Sequence, residues 1–196
     1  MSALKFLLQY VAKPRATGAV LPSSKYLARK MVAGADFGRA GCIVEYGPGT
    51  GVFTDEILRR RKPGARVLLL EKNPGFAAGL QKKYGGVENL AVVGDSAENV
   101  GLQLRAHSMP PADCIFSGLP FASLPRAVSE KILEATVRHL ADGGVFVTFQ
   151  YSLFFLDFIS GYFGDFSKTR EFRNFPPAYV LRFEKKAERG AHGHKA

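Results

Sequence analysis

Tryptophan is absent from this chain, and cysteine and histidine are scarce: two Cys and four His stand among 196 residues. Cys42 and Cys114 each lie inside an apolar, strand-like run, where a reduced thiol behaves as a small hydrophobe. No disulfide framework and no metal site is expected from them. His107 and His139 fall in no motif, and His192 and His194 stand at alternate positions in a small, polar C-terminal stretch. No run reaches the ~18 to 20 apolar residues that span a bilayer. The opening segment "MSALKFLLQYVAKPR" has neither the long apolar core nor the small-residue cleavage site of a signal peptide, so a cytoplasmic protein is expected. No segment repeats another.

Basic residues, by contrast, are plentiful. Lysine and arginine number 27 against 17 acidic residues, a formal charge of +10, and they gather near the N-terminus and in the last 30 residues. Such a surface attracts polyanions, either nucleic acid or an anionic membrane face. With 46% hydrophobic residues the chain can bury one full core and is too short for two comfortable ones.

Leu4, Leu7, Leu8 and Val11 recur at helical spacing before Pro14, with Lys5, Gln9 and Lys13 away from much of that face, which predicts a short basic amphipathic helix. "LPSSKYLARKMVAG" then offers Ser23 or Ser24 as an N-cap and Gly34 as a stop. From residue 42 apolar runs alternate with helical segments: strands over 42–46, 66–71, 90–94, 113–117 and 144–150, helices over 54–60, 75–84, 96–104 and 129–140. This alternation implies a parallel sheet with helices on both faces. The ending departs from it. After the aromatic-dense "YSLFFLDFISGYFGDF", the stretch "TREFRNFPPAYVLRFEKK" reads as two strands meeting across residues 174–177, and the last ten residues as a frayed tail.

The most informative stretch is "VEYGPGTGVFT", residues 44–54, with three glycines in five positions directly after an apolar run. A phosphate-cradling P-loop would end in Gly-Lys-Ser/Thr, and here Gly51 is followed by Val52. A dinucleotide fingerprint is weakened, since Gly51 comes one residue early for its third glycine. The remaining pattern, Glu45, Gly47, Gly49 and Gly51 in E-x-G-x-G-x-G, resembles motif I of class I S-adenosylmethionine-dependent methyltransferases. The chemistry agrees: that ligand ends in an amino acid and carries a cationic sulfonium, so a nearby acid helps and a lysine would hurt. Glycines let bare backbone turn sharply and approach the ligand.

Two further acids follow later strands. Glu71 ends "RVLLLE", 24 positions after Gly47, where a carboxylate can accept both hydrogen bonds of a ribose diol. Asp95 in "VVGDSAE" stands where the family's acid pairs with the adenine amino group. The fourth strand ends in "SGLPF", Ser117 to Phe121, at the place where amino-group methyltransferases carry Asn/Asp-Pro-Pro-Tyr or Asn-Leu-Pro-Tyr. The proline and the aromatic ring are kept and the amide or acid is serine, so an amine acceptor is expected while the adenine-specific form is missing. Phe121 could hold a nitrogen gaining charge by cation–π attraction, worth about 0.5 to 2 kcal/mol, or be a buried ring in a turn. Methyl transfer needs chiefly an aligned lone pair; Ser117, Tyr151 or a bound water are candidates for taking the proton.

With "GAVLPSSKYLARKM", "SGLPF", "FQYS" and "NFPPAYV" added, nearly the whole chain resembles the bacterial phospholipid N-methyltransferases, relatives of the rRNA adenine dimethylases. The resemblance implies a Rossmann-like fold with a seven-stranded, mostly parallel sheet, and S-adenosyl-L-methionine as cofactor. It also implies stepwise methylation of phosphatidylethanolamine to phosphatidylcholine, by a monomer peripheral on the inner face of the cytoplasmic membrane. It divides the chain into N-terminal helices over 1–34, serving membrane contact and a cofactor lid, a methyltransferase domain over 35–186 and a tail over 187–196. Cofactor contacts carried over are Ser23, Ser24, Glu45, Gly47, Gly49, Thr50, Gly51, Glu71, Lys72, Asp95, Ser96, Ala97 and Ser117. Ser117, Leu119, Phe121 and Tyr151 would serve catalysis, and Lys25, Pro120, Phe121, Gln150 and Tyr151 would meet the head group.

The basic N-terminal helix suits an anionic leaflet. The rings between Tyr151 and Phe166 suit an acyl chain or a core. The rival within enzymes is rRNA adenine N6-methylation; against it stand the missing Asn in "SGLPF" and the expectation that no helical RNA-binding domain follows the hairpin. A non-catalytic adaptor would have no need of Glu45, Glu71 and Asp95 around one cleft.

Overall fold

A computed structural model describes residues 24–185. The expected helix over residues 4–12, Ser23 and the tail over 187–196 lie outside the described residues. The elements in order are α1 (Lys25–Val32), β1 (Cys42–Tyr46), α2 (Val52–Arg60), β2 (Arg66–Leu70), α3 (Pro74–Tyr84), β3 (Leu90–Val93), α4 (Val100–Ala106), β4 (Ala112–Ser117), α5 (Arg126–His139), β5 (Leu140–Gln150), α6 (Leu156–Phe163), β6 (Phe166–Glu171) and β7 (Ala178–Glu184). They build one seven-stranded sheet in the order β3-β2-β1-β4-β5-β7-β6. The first five strands run parallel and β7 runs antiparallel to both of its neighbours.

The sequence explains the layering. Every residue of β1 is buried, as a central parallel strand covered on both faces requires. Ile43, Val67, Leu69 and Phe116 face α1, α2 and α3 on one side. Val44, Leu68, Leu70 and Ile115 face α4, α5 and α6 on the other. Both cysteines are free and buried, and burial pushes each thiol up to about 12, so they serve as core methyl-sized groups. Asn73 caps α3 by accepting from the Gly75 and Phe76 N–H groups, with Pro74 at the first helical position.

Several boundaries differ from those expected: α5 begins at Arg126 rather than 129 and α4 at Val100 rather than 96, and among the strands β5 and β6 differ most. β5 begins at Leu140 rather than 144, because α5 runs straight into it and Gly143, at a φ of 73°, absorbs the irregular register against β4. β6 begins at Phe166 rather than 169. Its residues are exposed except Glu171, so this edge strand has no buried face to mark it in sequence.

α1 packs on the sheet. Leu27, Ala28, Met31 and Val32 are fully buried. Ser24 is the N-cap, its Oγ accepting from the Leu27 N–H at 3.1 Å. The Ser24 N–H donates to Asn174 Oδ1 at 3.1 Å, and Asn174 Nδ2 donates to the Pro176 carbonyl at 2.8 Å. Lys30 reaches the Arg170 carbonyl at 3.0 Å and Glu171 at 3.7 Å. Because Asn174 is buried, Asn174→Ala strands a donor and an acceptor. The expected cost is about 1 to 3 kcal/mol, read from urea unfolding.

Candidate active site

In the observed strand order the connections reverse between β1 and β4, and open parallel sheets bind ligands at that point, beyond the carboxyl ends of the strands. The loop after β1 lies there. Gly47, Gly49 and Gly51 all have positive φ, at 61°, 57° and 84°. The Gly47 N–H continues the β-ladder to the Leu70 carbonyl at 2.9 Å, and Gly51 starts α2. At Gly51 the absence of a Cβ is obligatory twice over. Besides its φ, a Cβ would overlap the Tyr84 hydroxyl, which is held by the Gly51 carbonyl at 3.0 Å and by Asp55 at 2.6 Å. Beside Gly49 nothing lies within 4 Å of such a Cβ, so this part of the loop presents bare backbone to open space.

The three acids differ in what they already hold. Glu45 is fully buried; Oε2 accepts from Thr54 Oγ1 at 2.7 Å, while Oε1 has no partner. Burial, and secondarily Asp55 and Glu71, push its carboxyl up to about 8 against the opposing Thr54 bond. Glu71 Oε2 accepts from the Gly49 N–H at 3.0 Å and Oε1 from the Asn73 N–H at 2.8 Å. One lone pair on each oxygen is left over, which matches a diol. Asp95 Oδ1 accepts from Ser96 N–H and Asn99 Nδ2 at 2.7 and 2.8 Å, and Oδ2 from Gln103 Nε2 at 2.7 Å. Burial pushes the Asp95 carboxyl up, but these bonds outweigh it and hold it below the ordinary carboxylate value. Ser96 Oγ donates to Glu98 at 2.9 Å, Ala97 is buried beside it, and Thr50 and Lys72 are exposed on the loops after β1 and β2.

The turn after β4 packs on the glycine loop. The Gly118 N–H donates to the Tyr46 carbonyl at 2.8 Å, and a Cβ on Gly47 would sit 2.9 Å from Leu119 Cδ2. Ser117 is fully buried, with its Oγ accepting from the Leu119 N–H at 3.3 Å, so it shapes the turn. Pro120 is half-buried and opens the short helical turn that carries Phe121. Phe121 departs from the cation–π expectation: its ring is fully buried and edge-on to Phe146 at 6.3 Å, which makes it core. Phe121→Ala is expected to cost about 3 to 5 kcal/mol of stability by opening a cavity, measured by chemical denaturation. Gln150 ends β5, buried, with Nε2 unpartnered, and Tyr151 follows half-buried, edge-on to Phe149 at 5.5 Å. Lys25 is exposed at the start of α1.

No family model matches the chain. Over 178 residues it is 30% identical to an ornithine lipid N-methyltransferase of Singulisphaera acidiphila, covering 88% of this chain and 91% of that protein. The chain belongs to the ornithine lipid N-methyltransferase family. Similarity to a ribosomal RNA small subunit methyltransferase A of Thermotoga neapolitana is more local, 30% identity over 117 residues, 60% of this chain and 41% of that protein. Among solved structures, the N-methyltransferase NodS of Bradyrhizobium japonicum, in complex with S-adenosyl-L-homocysteine, superposes with a TM-score of 0.61 at 12% identity, over 83% of this chain and 85% of that one. The fold is that of the class I S-adenosylmethionine-dependent methyltransferases, and S-adenosyl-L-methionine is the cofactor. The site of this N-methyltransferase family member fits that group: a buried carboxylate oxygen lacking a partner, two spare lone pairs on Glu71 and an open face beside Gly49 are complementary to an ammonium, a diol and a close-lying chain.

Thr54, Asn99, Gln103, Tyr84 and Asn174 were not marked in the sequence as site residues, yet they orient Glu45, Asp95, Gly51 and the start of α1. Asn99 and Gln103 lie four and eight positions after Asp95, helical spacing that could have flagged them. Among the described residues no helix is long and apolar enough to cross a membrane, and no group of three or more His, Cys, Asp or Glu could hold a metal ion.

Proposed function

We propose that this protein transfers methyl groups from S-adenosyl-L-methionine to the primary amine of a membrane-lipid head group, ethanolamine-type or ornithine-type. The observation that carries this is the 30% identity to an ornithine lipid N-methyltransferase along nearly the full length of both chains. In this reading Glu45 Oε1 takes the cofactor's ammonium, Glu71 the ribose hydroxyls and Asp95, through the remaining lone pair on Oδ2, the adenine amino group. The bare loop from Gly47 to Gly51 lies along the amino-acid end, flanked by Thr50, Lys72, Ser96 and Ala97.

When bound, the cofactor supplies a methyl group on a sulfonium, open to in-line attack by a nitrogen lone pair. The chain's own part is to hold that lone pair in line. Backbone oxygens of the turn from Ser117 to Pro120 accept from the amine's N–H groups, with Leu119 fixing that turn against Gly47. Gln150, whose amide end has an unmet hydrogen-bonding group, and Tyr151 face the head group from the end of β5, and Ser24 and Lys25 close the side from α1. The head-group ammonium gives up a proton to water to expose that lone pair, with the Ser117 or Tyr151 hydroxyl placed to relay it, and the methylated ammonium left by transfer sheds its proton by the same route.

Incubation with radiolabelled S-adenosyl-L-methionine and vesicles holding phosphatidylethanolamine or ornithine lipid, followed by lipid separation, tests the reading. Labelled methylated lipid is expected with one of the two, and its identity names the head group. Label found only in added ribosomal RNA would replace the reading with rRNA methylation.

A further inference from the structure

We propose that the segments 151–155 and 172–177, together with the start of α1, form a rim that docks on an anionic phospholipid surface and seats the mouth of the candidate active site against it. This rests on the lipid-amine reading and names the surface from which that substrate is drawn. The topology places the rim. Gln150 pairs with Tyr179 and Glu171 with Ala178, so the chain leaves β5 and β6 and enters β7 along one edge of the sheet. Since β5 is parallel to β1 through β4, this is the edge that carries the glycine loop, Glu71 and Asp95.

Six large hydrophobic residues are exposed among the described residues, and four of them, Tyr26, Phe154, Phe172 and Phe175, lie on this edge. Phe154, Phe172 and Phe175 are exposed to 88%, 69% and 84%. Isolated exposed rings are ordinary on a protein surface; three on two adjoining loops beside one cleft make an interaction surface. The flanking charges decide its partner. Arg170 lies over the Phe172 ring at 4.9 Å and Arg173 over the Tyr26 ring at 4.3 Å, with Lys25 and Lys30 alongside on α1. Neither rim segment, 151–155 or 172–177, contains an acid; of those adjoining in sequence, Glu171 is buried and paired with Arg173 at 3.0 Å and Lys30 at 3.7 Å, and Asp157 stands at the start of α6. Rings that can enter the boundary between head groups and acyl chains, bordered by cations that meet lipid phosphates, are complementary to an anionic bilayer. An acceptor amine anchored in a bilayer also obliges the mouth of its site to abut that bilayer.

The test uses the full chain with vesicles of phosphatidylethanolamine and phosphatidylglycerol. The triple variant Phe154→Ser, Phe172→Ser, Phe175→Ser is expected to lose at least tenfold in vesicle partitioning. Its thermal midpoint, its affinity for S-adenosyl-L-homocysteine and its turnover of a detergent-dispersed acceptor are expected to stay at the parent's values. Because the chain has no tryptophan, Phe175→Trp gives a single indole whose emission is expected to be quenched by brominated acyl chains in the same vesicles. Parent-like partitioning of the triple variant, or an indole untouched by brominated lipid, overturns the proposal. Loss of binding to an RNA stem-loop with vesicle binding intact overturns it too and assigns the rim to RNA. If the parent methylates no lipid yet the triple variant still leaves the vesicles, the docking rim stands and the lipid-amine reading falls.

Discussion

Glu45→Gln is expected to lower affinity for S-adenosyl-L-methionine by about ten- to a hundredfold, the loss of one buried, charge-assisted hydrogen bond worth roughly 1.5 to 3 kcal/mol. The substitution keeps the shape of the side chain and its contact with Thr54 but turns the free acceptor into an amide donor, so calorimetry reads the loss of that carboxylate oxygen; parent-like affinity would remove Glu45 from the cofactor site. A second signature follows from the pKa. The carboxyl is raised to about 8 in the folded chain, so over the range between its ordinary value and 8 the native state holds a proton that the unfolded chain releases. Stability from this group is therefore fully present below about pH 4.5 and is lost as the pH rises towards 8, with a slope of up to about 1.4 kcal/mol per pH unit. Urea midpoints of the cofactor-free protein at pH 5, 6, 7 and 8 are expected to show this fall, and Glu45→Gln to flatten it.

Gly51→Ala is expected to cost about 2 to 5 kcal/mol of stability and to abolish cofactor binding. A residue with a side chain pays about 1 to 2 kcal/mol at a φ of 84°, and overpacking adds roughly 1 to 3 kcal/mol. The overlap falls on Tyr84, which cannot swing aside without giving up its bonds to the Gly51 carbonyl and Asp55. Tyr84→Phe combined with Gly51→Ala removes the clashing oxygen, so the double variant is expected to regain part of the loss. A double-mutant cycle with no coupling energy would place the strain elsewhere.

The parallel half of the fold was legible because the inner part of each strand is a short, mostly apolar run, and Cys42–Tyr46 appears in the structure with the bounds expected from sequence. The glycine loop and the acids after three successive strands were legible because a ligand at a topological switch point constrains which residue types can follow each strand. The start of β6 leaves no mark in the sequence because FSKTRE carries its only buried residue, Glu171, at its far end. The roles of Ser117 and Phe121 were less legible. "SGLPF" looks the same whether its ring faces an acceptor or Phe146, and only the packing of α5, α6 and β5 turns it inward. Asn174 sits 150 positions from the Ser24 that it anchors, a separation that no local pattern carries.

The position of β7 between β5 and β6 has a consequence for biosynthesis. On a ribosome β5 is complete by residue 150 and β6 by 171, yet neither can hydrogen-bond to the other; both wait for Ala178–Glu184. Until that strand emerges, one flank of the nascent parallel sheet stays unpaired, and α1, made first, lacks Asn174, the anchor for its N-terminal end. The earliest and the latest described helix and strand thus close the structure together, and translation halted before residue 178 is expected to leave a sticky, protease-sensitive intermediate rather than a smaller stable domain.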